Sequence, residues 1–210
     1  MIVEPMTMAT DYALALANAY FGWRLLRIKG LPAKYWSSGF FALSLAAIAG
    51  GSYHGLHDAL DPGIIAALWQ ITEIAIGIGS LCLLMAVVEL YASLRWLASL
   101  RSLACAKFLV YMIWVAGSDK YVFAIYDSGT TLAISIIIAA IALRRWHHPA
   151  AGWLLAGYGV SILAALVQMS GLRLGAHFNH NDFYHLIQLL AMTLLYRAGL
   201  DFGEKTVDSA

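Results

Sequence analysis

Charge is what this sequence has least of: Asp, Glu, Lys and Arg make up 12% of its 210 residues, where a soluble domain carries about 25%. With 61% hydrophobic residues beside them, the composition is that of a membrane protein. The few charges nearly balance, at a formal net of +1, so nothing marks a nucleic-acid partner, which would call for a basic patch. Cysteine occurs twice; Cys82 lies within a hydrophobic stretch and Cys105 near the inner end of another, where small apolar packers are expected rather than an exported disulfide. No hydrophobic stretch is interrupted midway by proline and no inverted repeat is visible, so the usual pointers to a transporter are missing. Residues 1–10 hold Glu4 and no cation; a secretory leader begins with a basic region, so the first hydrophobic span is expected to be retained.

What is present in abundance is hydrocarbon. A span of about 30 Å takes roughly 20 residues, and such stretches can be placed seven times, at 8–26, 36–56, 64–91, 99–117, 121–143, 151–170 and 180–200. The fourth is short and broken by Lys107. The expected fold class is an all-α, seven-helix membrane bundle forming one transmembrane domain over residues 1–210. Small residues such as Ala46, Gly50 and Gly51 in the second span and Gly77 and Gly79 in the third suit close helix approach.

Basic residues orient the bundle, because basic loops stay on the cytoplasmic side. Arg24, Arg27, Lys29, Lys34, Arg95, Arg101, Lys107, Arg144, Arg145, Arg197 and Lys205 fall on one side, leaving Lys120 and Arg173 on the other. The N-terminus is therefore expected outside and the C-terminus in the cytoplasm. Richness in Ala and Gly together with short loops suggests a bacterial inner membrane.

Sorted by this topology, the titratable groups are lopsided. Two histidine clusters, Ser52-Tyr53-His54-Gly55-Leu56-His57-Asp58 and His177-Phe178-Asn179-His180-Asn181-Asp182-Phe183-Tyr184-His185, both fall on the outer side. Asp11, Glu73, Asp119 and Asp127 accompany them. At 1.5 Å per residue Asp127 sits about 10 Å below the outer boundary, Glu73 roughly 13 Å and His185 about 7 Å. Carboxylates at such depth face a protein interior, water or a cation, because facing lipid costs several kcal/mol. His147 and His148, in the inner basic loop, are expected at the interface.

Three imidazoles from two segments, with a water in the open fourth position, form a common catalytic zinc set. His54, His180 and His185 are the first choice of ligands, with His57, His177, Asp58 and Asp182 as alternates. Because His180 and His185 diverge by about 140° on a regular helix, both reach one ion only if His180 stands in the loop or cap before the seventh span. Ser52, Glu73 and Asp127 are the candidate catalytic groups, able to hydrogen-bond ligands or orient the water.

Tyr53-His54 on the second span, with Ser52 before it, and the His180 to His185 pair opening the seventh resemble the CREST superfamily of seven-span membrane hydrolases. That superfamily includes alkaline ceramidases, adiponectin and progestin receptors and hemolysin III proteins. Its members carry a Ser four residues before the His, where this chain has Gly50, and a His-x-x-x-His pair one residue shorter than the interval here. The resemblance implies amide hydrolysis of a lipid; with the zinc set read from the histidines, the expected reaction is hydrolysis of an amide or ester bond in a lipid-like substrate, with Glu73 or Asp127 as the leading general-base candidate.

Two other classes remain. Histidines on different helices also ligate haem iron axially. A receptor or transporter would bind a lipid or solute at the same polar groups, with Glu73, Asp127, Gln168 and Gln188 lining its path.

Overall fold

Proline opens four of the helices. Pro5, Pro32, Pro62 and Pro149 each stand at the first or second helical position, where the missing N–H has no partner to lose and the fixed φ suits the turn. The structure, a computed structural model, describes residues 2–118, 120–173 and 178–203. These residues form seven α-helices: α1 Pro5–Leu25, α2 Leu31–Leu56, α3 Pro62–Tyr91, α4 Leu94–Gly117, α5 Val122–Trp146, α6 Pro149–Met169 and α7 His180–Leu200, followed by a 3₁₀ turn at Asp201–Gly203. No strand is present among the described residues; an isolated bridge joins Arg173 to Asn179.

Each hydrophobic stretch expected from the sequence is one helix, and the largest shifts are early starts. Helix α2 begins at Leu31 rather than near 36, and α4 at Leu94 rather than 99. Polar and basic residues there, including Lys34 and Arg95, satisfy the helical backbone while lowering hydropathy. Four helices, α3 to α6, are long and apolar enough to cross a membrane. The other three are the ones that carry most of the polar side chains described below.

Helix α2 packs against α1 and α3, α3 against α5, α5 against α6, α6 against α7, and α7 closes back onto α1, while α4 leans on α3 and α5 from outside. Close approach of α2 and α3 depends on Gly39 and Gly79. A Cβ at Gly39 would lie 2.8 Å from Leu83, and one at Gly79 2.9 Å from Leu43. The main apolar core gathers Leu25, Trp36, Phe40, Leu83, Val87, Leu154, Met192 and Leu195. Trp36 Nε1 donates to the Leu195 carbonyl at 2.9 Å, tying α2 to α7.

The two ends of the bundle differ. At one, Tyr91 and Trp146 stack and Tyr91 OH meets His148 Nδ1 at 3.0 Å. His148 is 4% exposed, so it is a buried partner of Tyr91 and not the interfacial residue expected from its basic loop. His147, beside it, takes the left-handed conformation at φ 53° and ends α5. The opposite end brings together the start of α1, the end of α2 and the starts of α3, α5 and α7. There Val3 N donates to Gly55 O, and the rings of Tyr53, Trp69 and Tyr121 lie in succession.

Candidate functional site

Helix α7 starts with its own cap, and that cap builds the site. Asn179 Oδ1 accepts from Asn181 N at 2.8 Å while Asp182 Oδ2 accepts from Asn179 N at 2.7 Å, a reciprocal capping box that satisfies donors at the helix start. The other oxygen, Asp182 Oδ1, accepts from Thr7 Oγ1 of α1 at 2.9 Å. Both partners are buried, Asp182 completely and Thr7 at 1% exposure. One carboxylate thus sets where α7 begins and which face it turns to α1.

Three residues further along α7, His185 is held from both sides. Its Nδ1 lies 3.0 Å from Thr10 Oγ1 and its Nε2 3.2 Å from Asp11 Oδ1. The Thr10 hydroxyl donates its one proton to the carbonyl of Met6 or Thr7, at 3.0 and 3.1 Å. It therefore accepts from Nδ1–H, and Nε2 is left facing a carboxylate oxygen. A lone pair against a carboxylate is stable only with a cation held in common, which is a proton or a metal ion. The 3.2 Å separation suits either, since two ligands about 2.0–2.2 Å from a tetrahedral zinc stand roughly 3.3 Å apart.

His54, at the end of α2, has its Nδ1 3.0 Å from Glu4 Oε2. A carboxylate on Nδ1 orients the ring and leaves Nε2 as the nitrogen available for other work. Asp11, His54 and His185 all line one cavity of about 260 Å³, with Asn18, Thr72, Trp69, Gln168, Asn181, Tyr184 and Gln188. Gln168 Nε2 donates to Asn181 Oδ1 at 3.4 Å, so the Asn181 amide nitrogen remains a donor at the cavity wall.

The remaining sequence candidates are elsewhere. His180 is the first residue of α7 rather than part of the loop or cap before it; its Nδ1 is buried without a partner and it does not line this cavity. His57 and Asp58 pair with each other at 3.3 Å on the exposed end of α2, and His177 lies outside the described residues. Ser52 Oγ bonds Tyr12 OH at 2.9 Å and the Ile48 carbonyl at 2.8 Å, away from the His185 pair. Glu73 is 2% exposed and borders a separate open groove with Tyr53, His57, Gln70 and Ser118. Asp127 is ion-paired with Lys107 of α4. Lys107 itself is not a loop cation; it lies within α4 and turns inward.

Among the described residues, no three His, Cys, Asp or Glu side chains gather closely enough to hold an ion by themselves. The donor set nearest to that is Asp11 and His185, with His54 on the same cavity. Asp11 was legible as an outer carboxylate but not as the partner of His185. Its signal is the Thr7, Thr10 and Asp11 stripe, which repeats at three and four residues and so faces one side of a helix.

Fold and site together define an all-helical protein with a polar cavity between α1, α2 and α7 and four helices able to cross a membrane. The chain belongs to a family of unknown function, DUF6962, whose model matches residues 6–204. No curated protein and no solved structure matches it.

Proposed function

We propose that this chain is a seven-span membrane hydrolase, N-terminus outside, that cleaves an amide or ester bond in a lipid-like amphiphile. The observation that carries it is the Asp11–His185 contact on the wall of a polar cavity that continues into a second, more apolar one. The second cavity, of about 310 Å³, shares Leu43, Ile76, Tyr121, Tyr184, Gln188 and Met192 with the first and adds Leu83, Ile162, Leu166 and Leu195. A head group is accommodated by Asp11, His54 and Asn181, and a hydrocarbon tail by the aliphatic wall. The outward faces of the bundle, including Leu16, Leu103, Ile113 and Ile137 at 60% exposure or more, are too apolar for water and suit lipid.

Asp11 and His185 would hold a zinc ion between them, with His54 closing in from the same cavity wall as third ligand, and zinc so held would supply Lewis acidity and a water of lowered pKa. Thr10 fixes the tautomer of His185, and the Glu4 carboxylate stands beside Nδ1 of His54. The Asn181 amide nitrogen donates to the scissile carbonyl oxygen. In the overall reaction water adds to the carbonyl carbon, the bond to nitrogen or oxygen breaks, and the departing amine or alcohol takes a proton.

Metal content and fatty-acid release test this together. Purified wild type is expected to hold zinc and to release dodecanoate from N-dodecanoyl ethanolamine, with Asp11→Asn and His185→Ala losing both. Wild type free of metal and without release on any acyl amide or ester sinks the hydrolase. A second reading is a receptor that binds the amphiphile without turnover, because Thr10 and Asp11 occupy both ring nitrogens of His185. Saturable binding with no release selects it. A Soret band in the preparation points instead to haem.

A further inference from the structure

A second polar cluster stands deep in the bundle, away from the Asp11–His185 pair. Lys107 Nζ of α4 is ion-paired with Asp127 of α5 and donates to Ser80 Oγ of α3 at 3.2 Å. Ser80 Oγ in turn lies 2.8 Å from Thr131 Oγ1 of α5. Ser80 and Thr131 are 5% and 4% exposed, and both line the apolar cavity.

The proton count of this cluster does not close. An ammonium donates and never accepts, so Lys107 takes up no hydroxyl proton. Ser80 and Thr131 carry one proton each, and the bond between them uses one. Among the described residues neither hydroxyl makes any other hydrogen bond; neither turns back to its helix as Thr72 and Thr130 do. One hydroxyl proton is therefore left over, on a side chain that faces the cavity. Donation from Lys107 polarises the pair and makes that proton a better donor. An unspent donor in an apolar cavity is costly unless an acceptor arrives.

We propose that this pair is a binding subsite for an acceptor oxygen carried partway along the body of the ligand, so that the amphiphile is an oxygenated chain rather than a plain hydrocarbon tail. The assignment rests on the amphiphile-binding role proposed above and adds the class of tail. Carbonyl, hydroxyl and ether oxygens all satisfy the donor; a ketone isolates it, because a ketone only accepts.

Dodecanamide and a series of oxododecanamides, with the ketone moved stepwise along the chain, are titrated into the detergent-solubilised full-length protein. Wild type is expected to bind dodecanamide and to bind one or two adjacent ketone positions about three- to tenfold more tightly, the gain of one hydrogen bond. Ser80→Ala alone and Thr131→Val alone each leave one hydroxyl with an unspent proton, so a positional preference persists. Ser80→Ala combined with Thr131→Val removes the preference, each ketone being compared with dodecanamide on the same variant. Binding of dodecanamide with no preferred ketone position overturns the subsite and leaves the amphiphile role standing, as does a preference that survives the double substitution. Binding of no amide at all overturns both. The wild-type series decides by itself if the double variant does not fold.

Discussion

Asp182 shows how much one side chain settles at the start of α7. It caps the helix through Asn179 N and holds α1 through Thr7 Oγ1, with no exposure to solvent. Asp182→Ala removes the cap acceptor and strands a buried threonine hydroxyl, so it is expected to cost about 2–4 kcal/mol. His57→Ala, on the exposed end of α2, is expected to stay within about 0.5 kcal/mol. Thermal unfolding in detergent checks both, and similar losses at the two positions contradict the division of roles. Residue types marked this neighbourhood in the sequence, since Asn179, Asn181 and Asp182 favour helix starts. Partnerships were not marked, because Thr7 and Asp182 are 175 positions apart and no local pattern links them.

Helices are where the sequence was most legible. Seven apolar stretches became seven helices, because a long apolar segment removed from water must pair its backbone internally and a helix does so. Helix α4 is the instructive case. Lys107 looks in sequence like a defect in a weak span, yet it is an inward cation paired with Asp127 and bonded to Ser80, and it ties α4 to α5 and α3. Lys107→Met is expected to destabilise the bundle by about 3–5 kcal/mol, because it leaves the Asp127 carboxylate buried without a counter-ion. Lys107→Met combined with Asp127→Leu is expected to recover most of that loss. A double-mutant cycle in detergent unfolding measures the coupling, and additive losses contradict it.

On the scale of the whole molecule, sidedness is the quantity to test. If seven helices cross, single cysteines at Asp58 and His147 in a variant lacking Cys82 and Cys105 lie on opposite sides. Asp58→Cys is expected to react with an impermeant maleimide in intact cells, and His147→Cys only after permeabilisation. Labelling of both from one side contradicts the proposed topology.

The sequence by itself determined the helices, their apolar character and the clustering of histidines near one end, since each follows from composition and spacing along a chain that must bury or pair its backbone. Tertiary structure alone decided which of those histidines share a cavity. It chose His54 and His185, set Asp11 against His185, and placed Ser52, Glu73 and Asp127 elsewhere. The physical reason is rotation. Each helix turns about 100° per residue, so small differences in how α1, α2 and α7 face one another decide which side chains meet. Those angles come from packing contacts, such as Asp182 on Thr7 and Trp36 on Leu195, between residues far apart in the chain.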